Sequence, residues 1–225
     1  MRDKYYERQT YWIGNWISYC TNNSFYNGFN KMKVLYITFS VVLLDIITKL
    51  LVKGIQLPLA GIQLNGMPYG SSIPLIGDFL KLTFIENPGM AFGIDVVGKV
   101  FLSLFSIIAT IGILIYLYKI KNESLWLRLP LALILAGAIG NLINRVFFGV
   151  LFGYAPLLHG NIVDFIDIDF FDLQIFGYSM SRWPVFNFAD VAVTIGVTIL
   201  LISGSLNNLN EQNKILVENK NIEDN

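Results

Sequence analysis

The stretch WPVFNFADVAVTIGV, Trp183–Val197, decides the fold of this chain. It places Asn187 and Asp190 in the opening turns of a run that stays apolar as far as Leu206. A carboxylate in a segment of membrane-spanning length is costly and is rarely retained without a use. Asp190 is therefore the first candidate functional residue, and the question for the rest of the chain is which groups could join it.

The composition is that of a membrane protein. Hydrophobic residues make up 54% of the chain and charged residues 14%, whereas soluble domains carry about 25% charged residues. The formal net charge is zero, so we expect no nucleic acid as a partner. The single cysteine, Cys20, and the single histidine, His159, exclude an intramolecular disulfide and any cysteine-cluster or histidine-rich metal site within one chain. The chemistry must therefore rest on carboxylates, amides and hydroxyls.

Four windows are apolar over a length that crosses about 30 Å of hydrocarbon as a helix. They are Val34–Val52, Val100–Tyr118, Leu129–Val146 and Val185–Leu206. The connection Lys53–Lys99 is rich in Gly and Pro and holds a strand-like piece, Phe79–Ile85, which predicts a small extramembrane sheet or a re-entrant platform. A second long connection, Phe147–Pro184, is aromatic and acidic. The predicted fold is an all-α polytopic membrane protein with four transmembrane helices and a small extracytoplasmic β-sheet.

The two ends of the chain are polar. Met1–Lys33 has no apolar run of span length and does not resemble a signal peptide. Either it is a genuine juxtamembrane extension, or Met32, which directly precedes the first window, is the true start. Asn207–Asn225 is predicted to be disordered or a frayed helix.

Lysine and arginine residues outside the windows predict the orientation in the membrane. The N-terminal segment, the connection between the second and third windows and the C-terminal tail hold ten of them, whereas the other two connections hold four. Because basic residues concentrate on the cytoplasmic side, we expect both termini in the cytoplasm and the two long connections outside. The difference shrinks if Met32 is the start, because four basic residues are then lost.

This topology brings the polar residues of the spans to one membrane boundary. The residues near the outer ends of the first, third and fourth windows are Asp45 and Lys49, then Asn141, Asn144 and Arg145, then Asn187 and Asp190. The segment ENPGMAFGI, Glu86–Ile94, precedes the second window on the same side. All four spans therefore deliver polar groups to one side whichever way the protein is inserted, which predicts a shared site.

Each of these positions also has a purely structural interpretation. Asp45 and Lys49, one helical turn apart, could simply neutralise each other. Arg145 could extend to the interface and keep its charge hydrated. Asn187 could cap the fourth helix, whose dipole would favour Asp190. Close-packing positions between helices are predicted at Gly137, Ala138 and Gly140.

Two carboxylates are the catalytic groups that this residue set favours. A nucleophilic triad would need His159 as its base, and the sequence has neither a GxSxG turn nor the HExxH motif of zinc proteases. Two carboxylates that share a proton can hydrolyse an amide, because the ionised one takes a proton from water and the protonated one polarises the carbonyl. The last connection offers Asp190 four candidate partners, Asp164, Asp167, Asp169 and Asp172.

Five stretches, in order along the chain, resemble one protein family. They are LLDIITK (Leu43–Lys49), NPGMAFG (Asn87–Gly93), GNLINR (Gly140–Arg145), GNIVDFID (Gly160–Asp167) and FNFAD (Phe186–Asp190). Over Met32–Leu206 the chain resembles lipoprotein signal peptidase, or signal peptidase II, a four-helix aspartyl protease of bacterial cytoplasmic membranes. Each stretch alone is a weak signal, but all five in order across four spans are specific.

The resemblance implies which residues form the site. The catalytic pair would be Asp164 and Asp190, which chooses among the aspartates of the last connection. Asp45 and Lys49 would be the supporting polar pair of the first helix. The other residues expected to contact substrate or support the site are Asn87, Gly89, Asn141, Arg145, Asn187 and Ala189.

Asn144 departs from the family pattern, which usually has Asp at this position. The position is not one of the catalytic pair, so we expect hydrolysis to survive. The change leaves Arg145 without its adjacent carboxylate, and Asp167 or another acid of the last connection could compensate.

The implied function is removal of the signal peptide from a diacylglyceryl-modified prolipoprotein, by cleavage before its lipidated cysteine. No metal or organic cofactor is expected, since carboxylates and water carry the reaction. The expected partners are the prolipoprotein and membrane lipids, and the enzyme is expected to be a monomer in the bacterial inner membrane with its site at the outer face. The expected organisation is an extension at 1–31, a protease domain at 32–206 and a cytoplasmic tail at 207–225. Within the domain we expect an outer β-cradle at about 54–98 and, at about 147–184, an outer loop that closes over substrate.

Two other functions fit parts of the pattern. In an ion- or proton-coupled carrier, Asp45, Lys49, Arg145 and Asp190 would form a relay, although none of them continues the path inward. In a membrane scaffold without enzymatic activity, the polar groups would only bind the helices together.

Overall fold

The computed structural model of the chain describes residues 32–57, 61–89, 98–169, 173–175, 178–180 and 182–203. Within these ranges it contains four apolar helices and seven short strands. The helices are α1 Val34–Lys53, α2 Lys99–Lys119, α3 Leu125–Leu151 and α4 Phe188–Ser203. The first three are long and apolar enough to cross a membrane, and α4 is shorter within the described part. The N-terminal extension and the C-terminal tail lie outside the described residues.

The first two predicted windows agree with α1 and α2 to within one residue at each end. The third was predicted too short, because α3 begins at Leu125 rather than Leu129 and continues to Leu151. It continues because residues Asn144–Phe148 form a π-helical turn instead of ending the helix.

The π-helical turn receives the loop that leads into the following strand. The carbonyls of Arg145 and Val146 accept hydrogen bonds from the backbone N–H groups of Gly160 (2.9 Å) and Leu158 (3.2 Å). A side chain on Gly160 would overlap the carbonyl oxygen of Asn144. This close backbone approach explains why a glycine stands at the start of the stretch GNIVDFID.

The start of the fourth window was predicted three residues too early, at Val185 rather than Phe188. The backbone of Phe186 forms an isolated antiparallel bridge with Ile166, and its N–H donates to the Ile166 carbonyl (3.0 Å). The chain is therefore still extended at Phe186, and Asn187 stands just before the helix instead of in its opening turns.

The seven strands are antiparallel and form three small sheets. A hairpin, β1 Gly54–Leu57 and β2 Ile62–Asn65, directly follows α1. The central sheet has the order β3 Ser72–Ile76, β4 Leu80–Asn87 and β5 Ile162–Ile168. A second hairpin joins β6 Leu173–Ile175 to β7 Tyr178–Met180. Of the two predicted alternatives for the first long connection, the small sheet is therefore correct.

The central sheet joins the two long connections of the chain. The predicted strand-like piece Phe79–Ile85 corresponds to β4, which begins one residue later and ends two residues later, at Asn87. Strand β5, which pairs with it, was not predicted. The register places Ile85 opposite Asp164 and Asn87 opposite Ile162. The ladder therefore fixes the position of Asp164 relative to the end of β4.

A buried apolar cluster holds the sheet against the helices. Val52 of α1 and Phe148 of the π-helical turn pack with Phe84 of β4 and with Val163 and Phe165 of β5. By contrast, the helices expose large apolar side chains along their length, such as Phe39, Ile108 and Trp126. That surface suits a hydrocarbon surround rather than water.

The predicted close-packing glycines of α3 are confirmed. A Cβ on Gly137 would overlap the carbonyl oxygen of Ala189 in α4, and one on Gly140 would lie 2.5 Å from Asp45 Oδ2 in α1. Three helices thus approach each other at these two positions, directly beside the buried polar residues.

Gly137→Ala should destabilise the protein by about 1–3 kcal/mol, because the added methyl group forces α3 and α4 apart. Gly112→Ala in α2 is the matched control, since a Cβ there meets no atom within 4 Å. That variant should be neutral or more stable by about 0.5–1 kcal/mol. Unfolding in detergent micelles measures both, and equal effects would contradict this packing.

Candidate active site

The structure brings the polar side chains of the spans together at one end of the helices. Asp45 and Lys49 come from α1, Asn141 and Arg145 from the end of α3, and Asn187 and Asp190 from the start of α4. Asp164 comes from β5 and Asn87 from the end of β4. These eight residues lie on or next to five elements, and their positions in the sequence extend from Asp45 to Asp190.

Asn187 joins the two candidate catalytic carboxyls. Its side chain is fully buried, and its Nδ2 donates to Asp164 Oδ1 at 2.6 Å. Its Oδ1 accepts from the backbone N–H of Asp190 (3.0 Å), and its own backbone N–H donates to Asp190 Oδ2 (3.2 Å). The last two bonds form a reciprocal capping box at the start of α4. Asn187 therefore caps the helix, as one interpretation of the sequence held, and also links Asp164 to Asp190.

A buried chain of polar groups approaches Asp190 from α1 and α3. Asn141 Nδ2 donates to Asp190 Oδ1 at 2.8 Å, and Lys49 Nζ donates to Asn141 Oδ1 at 2.9 Å. Lys49 also pairs with Asp45 Oδ2 at 2.7 Å, and neither side chain is exposed. Asp45 Oδ1 accepts from the backbone N–H of Ala189 at 2.9 Å. The ion pair of α1 therefore neutralises itself and also holds both Asn141 and the first turn of α4.

Asp164 lies in a site with almost no contact with solvent. Its residue exposure is 3%, and burial, followed by the nearby charge of Asp190, raises its pKa to about 7. Hydrogen bonds from Asn187 and Asn87 and the charge of Lys49 oppose this increase in part. Because the two carboxyls repel each other when both are ionised, the pair favours holding one proton near neutral pH.

The loop after β4 lies against Arg145. Asn87 Oδ1 accepts from the backbone N–H of Gly89 at 2.8 Å. Gly89 has φ +93°, and a Cβ there would lie 2.7 Å from Arg145 Nη1. Arg145 interacts electrostatically with both Asp164 and Asp190 and is only partly exposed. The charge of its guanidinium therefore acts on the carboxyl pair, an interaction that goes beyond extension to the interface.

Asn144 supports β5 from the π-helical turn. It is fully buried, and its Oδ1 accepts from the backbone N–H of Val163 at 3.2 Å, one residue before Asp164. Its Nδ2 has no hydrogen-bond partner among the described residues. An orphaned donor of this kind costs about 1–3 kcal/mol.

Asp167 does not compensate for the missing carboxylate beside Arg145. Its Oδ2 accepts from Thr83 Oγ1 at 2.7 Å, and its Oδ1 accepts from Arg182 Nε at 2.8 Å. The acids that face Arg145 are Asp164 and Asp190 themselves. Asp167 instead ties β5 to β4 and to the segment that precedes α4.

A second polar network beside the site was missed at the sequence level. Glu86, next to Asn87 in β4, pairs with Lys53 at the end of α1 and accepts from Asn161 Nδ2 (3.1 Å). Asn161 Oδ1 accepts from Lys99 Nζ at the start of α2 (2.8 Å). The network ties together the elements that flank the carboxyl pair. Its members stand far apart in the sequence and share no motif, so only the fold reveals them.

Two positions considered in the sequence analysis remain, His159 and Asp172. His159 Nδ1 pairs with the carbonyl of Leu157 (2.9 Å) on the loop before β5. Asp172 lies outside the described residues. Within the described ranges there is no group of three or more His, Cys, Asp or Glu side chains that could hold a metal ion. Chemically, the site offers two carboxyls, three amides and one guanidinium.

Comparisons with known proteins find a matching family model, sequence relatives and a similar solved structure. A family model described as signal peptidase (SPase) II matches residues 37–206. The lipoprotein signal peptidase of Pelodictyon phaeoclathratiforme is 41% identical over 131 residues, covering 58% of this chain and 71% of that protein. The one from Porphyromonas gingivalis is 35% identical over 156 residues, covering 57% and 68%. A bacterial membrane enzyme solved by the in meso method aligns with a TM-score of 0.56 and 31% identity over 79% of this chain and 90% of that chain.

The raised pKa of Asp164 predicts how stability depends on pH. The folded state holds this proton up to a pKa of about 7, whereas the unfolded chain releases it near its ordinary value of 3.8. This group therefore costs the folded state stability as pH rises through that window, and the cost is complete above it. Asp164→Asn removes the titration, so its stability relative to wild type should improve by about 2–3 kcal/mol between about pH 5 and about pH 7.5.

Asp78→Asn is the control, because that carboxyl is 90% exposed and pairs with Lys81 at the surface. Its stability difference from wild type should stay constant over the same pH range. Thermal unfolding in detergent at a series of pH values measures both differences. A difference for Asp164→Asn that does not change with pH would contradict the buried, protonated carboxyl.

Proposed function

The chain belongs to the signal peptidase II family, and we propose that it removes the signal peptide from diacylglyceryl-modified prolipoproteins by cutting before the lipidated cysteine. It is an aspartic endopeptidase in this proposal, with Asp164 and Asp190 as the catalytic pair. The single observation that carries the assignment is the set of hydrogen bonds by which Asn187 joins both carboxyls.

The geometry suits hydrolysis of a peptide bond by water. The ionised carboxylate of the pair takes a proton from a water molecule, and the oxygen of that water attacks the carbonyl carbon. The protonated carboxyl gives its proton to the carbonyl oxygen, which forms an uncharged tetrahedral intermediate. The first carboxyl then protonates the nitrogen as the C–N bond breaks, and the second recovers a proton from the new carboxylic acid. No metal or organic cofactor takes part in this sequence.

The neighbouring residues fix the pair and receive the substrate. Asn141 and Asn187 hold the carboxyls, and Asp45 with Lys49 holds Asn141 from behind. The groups available to the substrate backbone are Asn87 and Arg145. The supporting positions without functional side chains are Gly89, whose lack of a Cβ leaves room for Arg145, and Ala189, whose N–H binds Asp45.

The proposed setting is the bacterial inner membrane, crossed by four helices, with both termini in the cytoplasm and the sheets outside. Three helices of span length and the apolar α4 support the number of spans. The distribution of basic residues supports the orientation. A substrate with a membrane-embedded signal helix and a lipid on the adjoining cysteine presents its scissile bond at the outer boundary, where the polar groups lie.

The proposed organisation follows from this setting. Residues 32–206 form the protease domain, in which about 54–98 supply the outer cradle and about 147–184 an outer loop that closes over substrate. Residues 1–31 are an extension and 207–225 a cytoplasmic tail. The proposed partners are the lipid-modified prolipoprotein and membrane lipids, and the enzyme acts as a monomer without nucleic acid.

The carrier hypothesis has no support from the relatives, which are peptidases. The buried charges also point away from it, because Lys49 and Asp45 are paired with each other and lead to Asp190 at one end of the bundle. The scaffold hypothesis would leave a carboxyl with a raised pKa unexplained.

Asp164→Asn and Asp190→Asn should each lower cleavage of a prolipoprotein by at least about 10²–10⁴-fold, because each removes one half of the acid–base pair. Asp164→Asn keeps the oxygen that accepts from Asn187. Asp190→Asn keeps one of the two oxygens that accept from Asn141 and from the backbone N–H of Asn187. Both variants should therefore remain folded and inserted. A processing assay that follows the mass shift of the substrate measures the loss.

Asp169→Asn is the matched control, since its carboxylate lies in the same connection but pairs with Arg182. It should process substrate at the wild-type rate. Full cleavage by either variant of the pair would remove the catalytic assignment, and transport of an ion without any proteolysis would favour the carrier.

Asn144→Asp should retain or raise cleavage. An aspartate there keeps the acceptor for the Val163 N–H, removes the orphaned Nδ2 donor and returns a carboxylate next to Arg145. Asn144→Leu is the contrasting variant, because it leaves the Val163 N–H without an acceptor and should cost about 1–3 kcal/mol of stability. The processing assay and thermal unfolding compare them, and complete inactivity of Asn144→Asp would mean that the role of this position is different.

A further inference from the structure

The two carboxyls of the pair do not have equivalent surroundings, and the difference assigns their roles. This inference rests on the proposed function, since it concerns which carboxyl is the acid and which is the base. A proton shared by two carboxyls settles on the one whose ionised form is less stabilised. The deciding facts are therefore the hydrogen-bond donors, the charges and the burial on each side.

The two groups that contact the carboxyl oxygens of Asp190 can act only as hydrogen-bond donors. A backbone N–H is always a donor, and that of Asn187 binds Asp190 Oδ2 at 3.2 Å. The other oxygen, Oδ1, accepts from Asn141 Nδ2 at 2.8 Å. Lys49 fixes the orientation of this amide, because an ammonium group only donates and so must face Oδ1 of Asn141. Both oxygens of Asp190 are thus used as acceptors, which favours the carboxylate.

Position on α4 favours the same state of Asp190. The residue lies in the first turn of the helix, where the free N–H groups and the helix dipole stabilise negative charge. It is partly exposed to solvent, whereas Asp164 is 3% exposed. Burial of a carboxyl on a strand, without a helix dipole, favours its neutral form.

The charged groups near the pair come from α1 and α3. Arg145 of α3 interacts with both carboxyls and so does not distinguish them. Lys49 of α1 reaches Asp190 through a single amide, while Asp45 of α1 neutralises part of its charge. Asp164 accepts a hydrogen bond from Asn187 Nδ2 at 2.6 Å and one from the uncharged Asn87 of β4. Donors are therefore present on both sides, and burial and the helix dipole distinguish the two carboxyls. The balance leaves Asp190 as the better-stabilised anion.

We propose that Asp164 carries the proton of the pair before catalysis and acts as the general acid, and that Asp190 is the ionised general base. Asp190 takes the proton of the attacking water, and Asp164 gives its own proton to the carbonyl oxygen. Asp190 then protonates the leaving nitrogen, and Asp164 takes a proton from a hydroxyl of the intermediate as the C–N bond breaks. Both carboxyls return to their starting states, so the cycle is balanced.

The pH dependence of kcat/KM tests the assignment, because its acid limb reports the base and its alkaline limb the acid. Asn141→Leu removes a donor from Asp190 and should move the acid limb up by about 1–2 pH units while the alkaline limb stays in place. Asn87→Ala removes a donor from Asp164 and should move the alkaline limb up instead. A fluorogenic lipopeptide and purified enzyme in detergent give both profiles.

The opposite pattern, in which Asn141→Leu moves the alkaline limb and Asn87→Ala the acid limb, would overturn the assignment, and so would two unmoved profiles. Infrared spectroscopy of the Asp→Asn variants tests it without any activity and without altering Asn141. At mildly acidic pH, Asp190→Asn should keep a protonated carboxyl band that Asp164→Asn lacks, and the reverse result would refute the proposal. Failure of the proposed function would appear differently, as a wild-type enzyme that does not cleave the lipopeptide.

Discussion

The hydrogen bonds of Asn187 are the constraint on which the rest of the structure depends. One side chain and one backbone N–H connect Asp164 on a strand to Asp190 on a helix, and the same bonds begin that helix. The first turn of α4 cannot move without changing the distance between the two carboxyls. Asn187 therefore both stabilises the start of the helix and fixes the geometry of the site.

The other elements serve to keep this junction in a poorly solvated place. The π-helical turn of α3 accepts the loop before β5, and Asn144 then holds the backbone one residue ahead of Asp164. Gly137 and Gly140 let the three helices approach until the ion pair of α1 reaches the site. Buried charges are costly unless paired and hydrogen-bonded, and here the pair of α1 is also bonded to two parts of the site.

The sequence predicts much of this arrangement, because costly intramembrane polar residues are few and the membrane fixes which end of each span they occupy. This reasoning predicted the helices α1 and α2, the meeting of the polar groups at one end of the helices, and the close-packing glycines. It did not predict the start of α4, since the bridge between Phe186 and Ile166 is a tertiary contact that a hydropathy pattern does not contain. Strand β5 was missed because it carries aspartates in a connection that reads as a loop, and the Glu86 network was missed because its members have no common spacing.

The most direct test of the central claim is a crystal structure of the enzyme with a lipopeptide in which a hydroxyl replaces the scissile carbonyl. The account predicts that this hydroxyl lies within hydrogen-bond distance of both Asp164 and Asp190, with Asn187 still bonded to both. A hydroxyl that contacts only one of the two carboxyls, or a lipopeptide bound away from them, would contradict it.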